Sequence, residues 1–422
     1  MEKNDKNNNF QYIQDFAMRE TLAFAKEHQG EDTARLLLSA SRYPSIDMPA
    51  AVQQIEGLRV AQEKWPSLLH YNEFLYPPRL NREQSSSEAT ARYKAGLFAA
   101  LGGGRLADLT GGMGVDTFFM SQDATEADYY EVDEELCDIA QHNFAALGAR
   151  HIACHCCDSL GSDAALSEYD LIFIDPARRD NHGHKVAAFE DCTPNLLDNL
   201  GLLRSRCRHL MVKASPMVDI HAAVEQLGEV DEVHVVALNG ECKEVLFILP
   251  CVSKREGASQ PTIHCVDLDG CGEKSHSHFT WEEEEAANAT YASEMGSYLY
   301  EPNAALMKGG CYNSICEWFE LKKLARNTHL YTSERRIGWF PGRCFSVLQP
   351  MTLNSKEAGR LIPEGKAHVV VRNYPLAAAE LQKKLKLKEG GRLFVIGATL
   401  GSRPQGWLCE KVEPDCTQAR PD

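Results

Sequence analysis

A glycine-rich turn at residues 106–116, with the sequence LADLTGGMGVD, constrains the fold more than any other segment of this 422-residue chain. The apolar residues before the turn predict a buried strand, and residues 116–120 carry the apolar residues of a helix. Glycine lets a ligand approach the backbone, and the first N–H groups of a helix have no partners within the helix. The turn therefore predicts a binding site for a nucleotide cofactor.

The acid that precedes the glycines distinguishes between two kinds of cofactor. A dinucleotide-binding turn has glycine at its first, third and sixth positions, but a frame that starts at Gly112 places Thr117 sixth. Asp108 would also repel a pyrophosphate, whereas its carboxylate can pair with the ammonium group of the positively charged S-adenosylmethionine. We therefore expect S-adenosylmethionine rather than NAD. The expected contacts lie at Asp108, Thr110, Gly111, Gly112 and Gly114.

Two further acids follow predicted strands of the same sheet. Asp133 ends a strand predicted at residues 128–133 and follows Asp108 at an interval close to the roughly 20 residues typical of ribose-binding acids. Asp158 follows a strand predicted at residues 151–157, where it can accept a hydrogen bond from the adenine amino group. Because ligands of open α/β sheets bind at the carboxyl ends of the strands, both acids are predicted to contact the cofactor.

A fourth predicted strand, residues 169–174, leads into the candidate catalytic segment. Asp175 can hydrogen-bond a protonated acceptor nitrogen, and Pro176 fixes the direction of the preceding carbonyl. Arg178 and Arg179 can clamp phosphates, because a guanidinium matches phosphate oxygens. The alternative for both arginines is an ion pair with a neighbouring acid.

These segments resemble the successive motifs of class I S-adenosylmethionine-dependent methyltransferases. The resemblance implies that Asp133 binds ribose, Asp158 binds adenine, and Asp175 and Pro176 lie beside the acceptor. Ala177 and Arg178 stand where the family has a second proline and an aromatic residue, which leaves the acceptor atom open. Other segments resemble bacterial methyltransferases with a C-terminal THUMP-like domain, namely residues 77–95, 298–310, 330–335 and 368–391.

The charge of the chain is unevenly distributed. The net charge is −16, yet residues 321–422 contain 18 lysines and arginines against 9 acids. A basic segment in an acidic chain is typical of a module that binds a polyanion such as RNA. The alternative is that the lysines between residues 383 and 388 merely line a solvated helix face.

The predicted fold class is α/β, with a Rossmann-like methyltransferase sheet. Small C-terminal α/β modules, ferredoxin-like and THUMP-like, are predicted to follow. The predicted regions are an N-terminal helical region (1–82), the methyltransferase domain (83–252), a linker with a ferredoxin-like domain (253–322) and a basic THUMP-like domain (323–405). Asn239-Gly240 predicts a hairpin, and the sequence predicts a helix from Ile315 through Lys323. No apolar run is long enough to span a membrane, so we expect a cytoplasmic protein with reduced cysteines.

Two groups of cysteines and histidines are candidate metal sites. Residues 151–157 are dense in both, but a strand sends alternate side chains to opposite faces. His264, Cys265, Cys271, His276 and His278 surround a glycine turn without the paired spacing of zinc ligands. The sequence therefore predicts no metal site.

The combined features predict an S-adenosylmethionine-dependent methyltransferase that acts on RNA, either rRNA or tRNA, and holds it through the basic C-terminal module. Two alternatives remain open: a catalytically idle RNA-binding protein on the same fold, and a methyltransferase for proteins or small molecules. The oligomeric state is not predicted.

Overall fold

The structure, a computed structural model, describes residues 18–161, 168–178, 189, 192–251 and 260–413. The described residues divide into two compact units. The first contains residues 18–214, 218–230 and 246–251, and the second contains residues 215–217, 231–245 and 260–413. No helix within these ranges is long and apolar enough to cross a membrane.

The N-terminal part of the described residues is all helical, as the sequence predicts. The helices of the described residues are numbered in chain order. They are α1 (residues 18–27), α2 (Thr33–Leu38), α3 (Met48–Lys64), α4 (Arg79–Gln84), α5 (Glu88–Ala100), α6 (Val115–Ser121), α7 (Glu134–Ala146), α8 (Leu196–Arg204), α9 (Ile220–Leu227), α10 (Trp281–Ala286), α11 (Ala304–Gly309), α12 (Ser314–Trp318), α13 (Ser355–Leu361) and α14 (Ala378–Leu385). Short 3₁₀ helices lie at Ala40–Arg42 and Pro66–His70.

The strands form a nine-stranded, a seven-stranded and a two-stranded sheet. They are β1 (Gly104–Asp108), β2 (Ala124–Glu131), β3 (Ile152–Cys156), β4 (Tyr169–Ile174), β5 (Ala177–Arg178), β6 (Cys192–Thr193), β7 (Cys207–Ala214), β8 (Glu232–Leu238), β9 (Glu241–Pro250), β10 (Thr262–Asp269), β11 (Gly272–Phe279), β12 (Tyr298–Pro302), β13 (Lys322–Ala325), β14 (Thr328–Ser333), β15 (Gly342–Pro350), β16 (His368–Arg372), β17 (Leu393–Leu400) and β18 (Arg403–Val412).

The nine-stranded sheet has the order β11-β10-β8-β9-β7-β4-β1-β2-β3. Four parallel pairs join five of these strands: β3–β2, β2–β1, β1–β4 and β4–β7. Their central residues, such as Leu106, Ile172 and Leu210, are fully buried, as expected for a parallel sheet. Asn239 and Gly240 both have positive φ angles and join β8 to β9. This two-residue turn gives the predicted hairpin.

The seven-stranded sheet lies wholly in the second unit and has the order β13-β14-β12-β15-β18-β17-β16. The parallel pair β16–β17 is connected through α14, which makes a strand–helix–strand unit. The helix predicted from Ile315 through Lys323 is wrong beyond Trp318. Glu320 has a φ of 50°, which ends the helical path, and Lys323 lies on strand β13.

Candidate functional site

The four strands that carry the sequence motifs end at one edge of the sheet in the first unit. Because β1, β2, β3 and β4 are parallel, Asp108, Glu131, Asp158 and Asp175 follow or end strands that point the same way. The edge therefore gathers four carboxylates at or just beyond the strand ends.

Asp108 is buried beneath the glycine turn rather than open to solvent, with 1% of its surface exposed. Its Oδ1 accepts a hydrogen bond from the Thr110 N–H at 3.1 Å, and its Oδ2 accepts one from the Thr117 hydroxyl at 2.6 Å. Burial raises the pKa of Asp108 to about 7, against the opposing effect of the Thr117 hydrogen bond. Asp108 therefore holds the turn together and is poised to change its charge near neutral pH.

The three glycines of the turn serve different purposes. A Cβ at Gly111 would lie 2.0 Å from the ring of Tyr129, and a Cβ at Gly114 would lie 2.6 Å from the ring of Phe144. These two glycines are therefore required by packing within the protein. Gly112 differs, because it has a φ of 53° and a Cβ there would meet only the Thr110 carbonyl at 3.9 Å. The space beside Gly112 is the part of the turn that a ligand can approach.

The acid that ends strand β2 is Glu131, two residues before the predicted Asp133. The Glu131 carboxylate accepts a hydrogen bond from Gly112 N–H at 2.8 Å and further bonds from the amides of Val132 and Asp133. Asp133 instead forms the N-cap of α7, where its side chain accepts from the amides of Glu135 and Leu136. The carboxylate at the glycine turn is thus that of Glu131, which sequence reasoning missed.

Asp158 lies just beyond strand β3, as predicted, and its side chain is exposed. Its Oδ1 accepts a hydrogen bond from the Leu160 N–H at 3.0 Å. The next residue, Ser159, is buried and donates to the carbonyl of Leu109, directly after strand β1, at 3.0 Å. This contact fixes the loop after β3 to the glycine turn.

Asp175 is connected to both the glycine turn and a lysine. Its backbone N–H donates to the Thr110 hydroxyl at 2.7 Å, and its carboxylate forms an ion pair with Lys213 of strand β7. Pro176 is buried. Lys213 was missed because a strand lysine gives no local sequence signal of its partner. Thr110 thus ties the segment after β4 to the segment after β1.

The predicted arginines are only partly described. The backbone of Arg178 pairs with Cys192 in the two-stranded sheet, and Arg179 lies outside the described residues. Their proposed phosphate contacts therefore remain predictions.

A buried cluster supports the start of α6. The Ser86 hydroxyl donates to Asp116 at 2.6 Å, and the fully buried Lys94 lies 3.2 Å from the same carboxylate. The Ser87 side chain caps α5 by accepting a hydrogen bond from the Thr90 amide. These contacts anchor the segment before the methyltransferase-like sheet to the helix that follows the glycine turn.

Comparison with known proteins identifies the family. A solved structure from Porphyromonas gingivalis W83, described as a candidate methyltransferase, superposes with a TM-score of 0.82. The two sequences are 30% identical, and the match covers 94% of this chain and 98% of the other. This chain belongs to the same family, the class I S-adenosylmethionine-dependent methyltransferases with a C-terminal THUMP-like domain.

Further matches agree with this assignment. The methyltransferase is 23% identical over 323 residues to an uncharacterized S-adenosylmethionine-dependent methyltransferase of Mycobacterium tuberculosis. That match covers 76% of this chain and 83% of the relative. Residues 298–341 match a ferredoxin-like domain family, and residues 342–411 match a THUMP domain-like family.

The described residues fit S-adenosylmethionine, the cofactor of this family. The open space at Gly112 admits a ligand, and the carboxylates at the strand ends suit a cation that also carries ribose hydroxyls and an amino group. When bound, the cofactor supplies a methyl group that its sulfonium has already activated. The protein then has to position the acceptor and exclude water.

The raised pKa of Asp108 gives a pH-dependent prediction. An ammonium group near this carboxylate favours its ionised form, so cofactor binding should release a proton. Between pH 5.5 and 7, below the usual α-amino pKa of about 7.7, S-adenosylmethionine affinity should rise about tenfold with pH. Isothermal titration calorimetry should show a flat profile for Asp108→Asn. An equally steep rise in that variant would exclude Asp108 as the titrating group.

Proposed function

We propose that this methyltransferase modifies RNA, with the basic THUMP-like segment as part of the RNA-binding surface. The proposal rests chiefly on the row of lysines at Lys383, Lys384, Lys386 and Lys388. All four side chains are exposed, whereas Leu385 and Leu387 between them are buried. Exposed lysines in a chain of net charge −16 suit a surface that attracts phosphates.

Not every basic residue of this segment is available for RNA. Arg343 and Arg372 both pair with the buried Glu301, and Arg335 pairs with Glu320 at 3.0 Å. Arg360 and Arg392 also pair with acids, and Lys323 is almost completely buried. By contrast, within the described ranges none of the four lysines has an ion-pair partner. We therefore assign phosphate binding to the lysines rather than to the paired arginines.

The site geometry supports a proposal for the cofactor contacts. We infer that the turn around Gly112 and the carboxylate of Asp108 hold the methionine part, and that Asp158 accepts from the adenine amino group. Glu131 replaces Asp133 as the ribose-binding acid, because Glu131 ends the strand and contacts Gly112. Its present contacts with backbone amides keep the carboxylate in place beside the turn.

The acceptor contacts lie after strand β4. We infer that the Asp175 carboxylate accepts a hydrogen bond from the acceptor nitrogen and orients its lone pair toward the methyl group. Lys213 pairs with this carboxylate and holds it in position. Pro176 fixes the adjacent carbonyl. Arg178 and Arg179 are assigned to phosphates that flank the target nucleotide.

A methyltransferase for proteins or small molecules is the alternative, and salt dependence separates it from the RNA enzyme. Changing the four lysines to glutamine should reduce the slope of log affinity against log salt by about 0.7–0.9 for each lysine that contacts a phosphate. Gel-shift titrations would use total tRNA and ribosomal RNA from a strain that lacks the gene, at several salt concentrations.

The matched control replaces four exposed arginines of the first unit with glutamine and changes the net charge equally. These are Arg35, Arg42, Arg150 and Arg206. An unchanged slope in the lysine variant, or an equal loss in the control, would rule out the lysine row as the RNA surface. Mass spectrometry of nucleosides from the deletion strain would identify the missing methyl group, and a full set of RNA modifications would contradict the proposed function.

A further inference from the structure

Four histidines come together on strands β8, β10 and β11 of the second unit. His234 is the register partner of His264, which in turn is opposite His278. His276 is opposite Val266, two residues from His264, and Glu232 precedes His234 by two. Register partners and residues two apart on a strand share a face of the sheet. All four histidines and Glu232 therefore lie on one face, although Glu232 and His234 are at least 30 positions away from the other histidines in the chain.

Close contacts join these side chains. The Nε2 of His234 lies 2.9 Å from a carboxylate oxygen of Glu232. The Nδ1 of His264 lies 3.0 Å from the Nε2 of His276. One donor atom from each of Glu232, His234 and His264 lies within 4.8 Å of the other two. His234 is 2% exposed, so the cluster extends into the protein and is not an accidental surface arrangement.

We propose that Glu232, His234 and His264 bind a divalent transition-metal ion of the zinc type. Imidazole nitrogens with a carboxylate oxygen are a donor set that zinc accepts at about 2.0–2.2 Å, so neighbouring donors of a tetrahedral site lie about 3.3 Å apart. The three donor atoms lie within 4.8 Å of one another, so no pair has to approach by more than about 1.5 Å to reach that spacing. Three protein ligands leave a fourth position for water or an exchangeable ligand.

His276 and Glu273 are placed to hold the ligand His264 in position. His276 contacts the Nδ1 of His264, which leaves the Nε2 of His264 for the metal. The other ring nitrogen of His276 lies 3.6 Å from the Glu273 carboxylate. Metal-binding histidines usually bond through their second nitrogen to such a partner, which fixes the tautomer. His264, His276 and Glu273 form a chain of this kind.

The orientation of two of the rings determines how they can bind a metal. The rings of His234 and His264 are stacked at 4.4 Å with an angle of 9° between their planes. Metal binding therefore has to tilt the rings so that their nitrogen edges converge.

The test uses the tag-free full chain, treated with a chelator and then titrated with Zn²⁺ by calorimetry and with Co²⁺ by visible absorption. We expect one ion per chain, a Co²⁺ spectrum of four-coordinate geometry, and a higher Tm with Zn²⁺. His264→Gln and Glu232→Gln should each weaken Zn²⁺ binding at least 100-fold. His276→Gln should weaken it by about 10–100-fold, as for other outer-shell partners.

The matched control is His368→Gln, since His368 also pairs with a glutamate, Glu389, but lies on strand β16 of the other sheet. This variant should bind Zn²⁺ like the parent chain. Because His234 is buried, its replacement can disturb folding, so the conclusion rests on the more exposed Glu232 and His264. Failure of the parent chain to bind Zn²⁺ or Co²⁺, or full binding by both Glu232→Gln and His264→Gln, would overturn the proposal. Neither result depends on RNA or on methyl transfer.

Discussion

Gly112→Val should abolish binding of S-adenosylmethionine, with no measurable heat in a calorimetric titration of the folded variant. Gly112 has a φ of 53°, which a β-branched residue adopts only under strain. The valine side chain would also occupy the space beside the turn, where only the Thr110 carbonyl lies within 4 Å. The two effects act together, because relief of the strain would move the amide that donates to Glu131.

The matched control is Gly148→Val. Gly148 also has a positive φ, 75°, and open space around its Cβ position, but it lies after α7 rather than in the glycine turn. Gly148→Val should lower the Tm to a similar degree and leave cofactor affinity unchanged. Near-parental affinity in Gly112→Val would show that the cofactor does not approach this turn.

The class I fold and its cofactor were predictable from sequence because their signals are local. The glycine turn and each of the apolar strands are recognised from residues that are close together in the chain. The roles of the individual glycines were not predictable. Gly111 and Gly114 are forced by the rings of Tyr129 and Phe144, which only the folded sheet brings beside them.

The position of the second acid illustrates a related limit. Asp133 and Glu131 are two residues apart, and both can end a strand in a sequence pattern. Whether an acid ends the strand or caps the next helix depends on where the ladders of β2 stop. The ladder with β1 stops at Tyr129, and the ladder with β3 stops at Glu131, opposite Cys156. That register is set by tertiary pairing, as is the register that brings His234 to His264.

Counts of charged residues in the sequence did not predict which basic residues can bind a phosphate. The excess of basic residues after Leu321 is present in the sequence, but the structure commits several of them to acids. Glu301 alone binds two arginines, Arg343 and Arg372. A count of charges predicts the sign of a surface, whereas the positions of ion pairs determine which residues can meet a phosphate.

Asp175→Asn should lower the rate of methyl transfer by about 100-fold or more, within the range for loss of a positioned catalytic group. Cofactor affinity should stay within a few-fold of the parent value, since the assigned contact is with the acceptor and strengthens during transfer. The measurement is single-turnover transfer from labelled S-adenosylmethionine to RNA from the deletion strain, alongside calorimetry for cofactor binding.

The effect of losing an ion pair on the transfer rate has to be separated from the effect of losing the contact between Asp175 and the acceptor. Asp170 of β4 and Arg208 of β7 form such a pair, at 3.3 Å, near the starts of these two strands. Asp175 follows the end of β4, and Lys213 lies near the end of β7. Asp170→Asn should therefore reduce the Tm and leave turnover unchanged. A Lys213→Met variant that retains Asp175 should lose less activity than Asp175→Asn, because lysine only holds the carboxylate that meets the acceptor. If Asp170→Asn slows transfer as much as Asp175→Asn, or Asp175→Asn turns over at the parent rate, Asp175 has no direct role in the reaction.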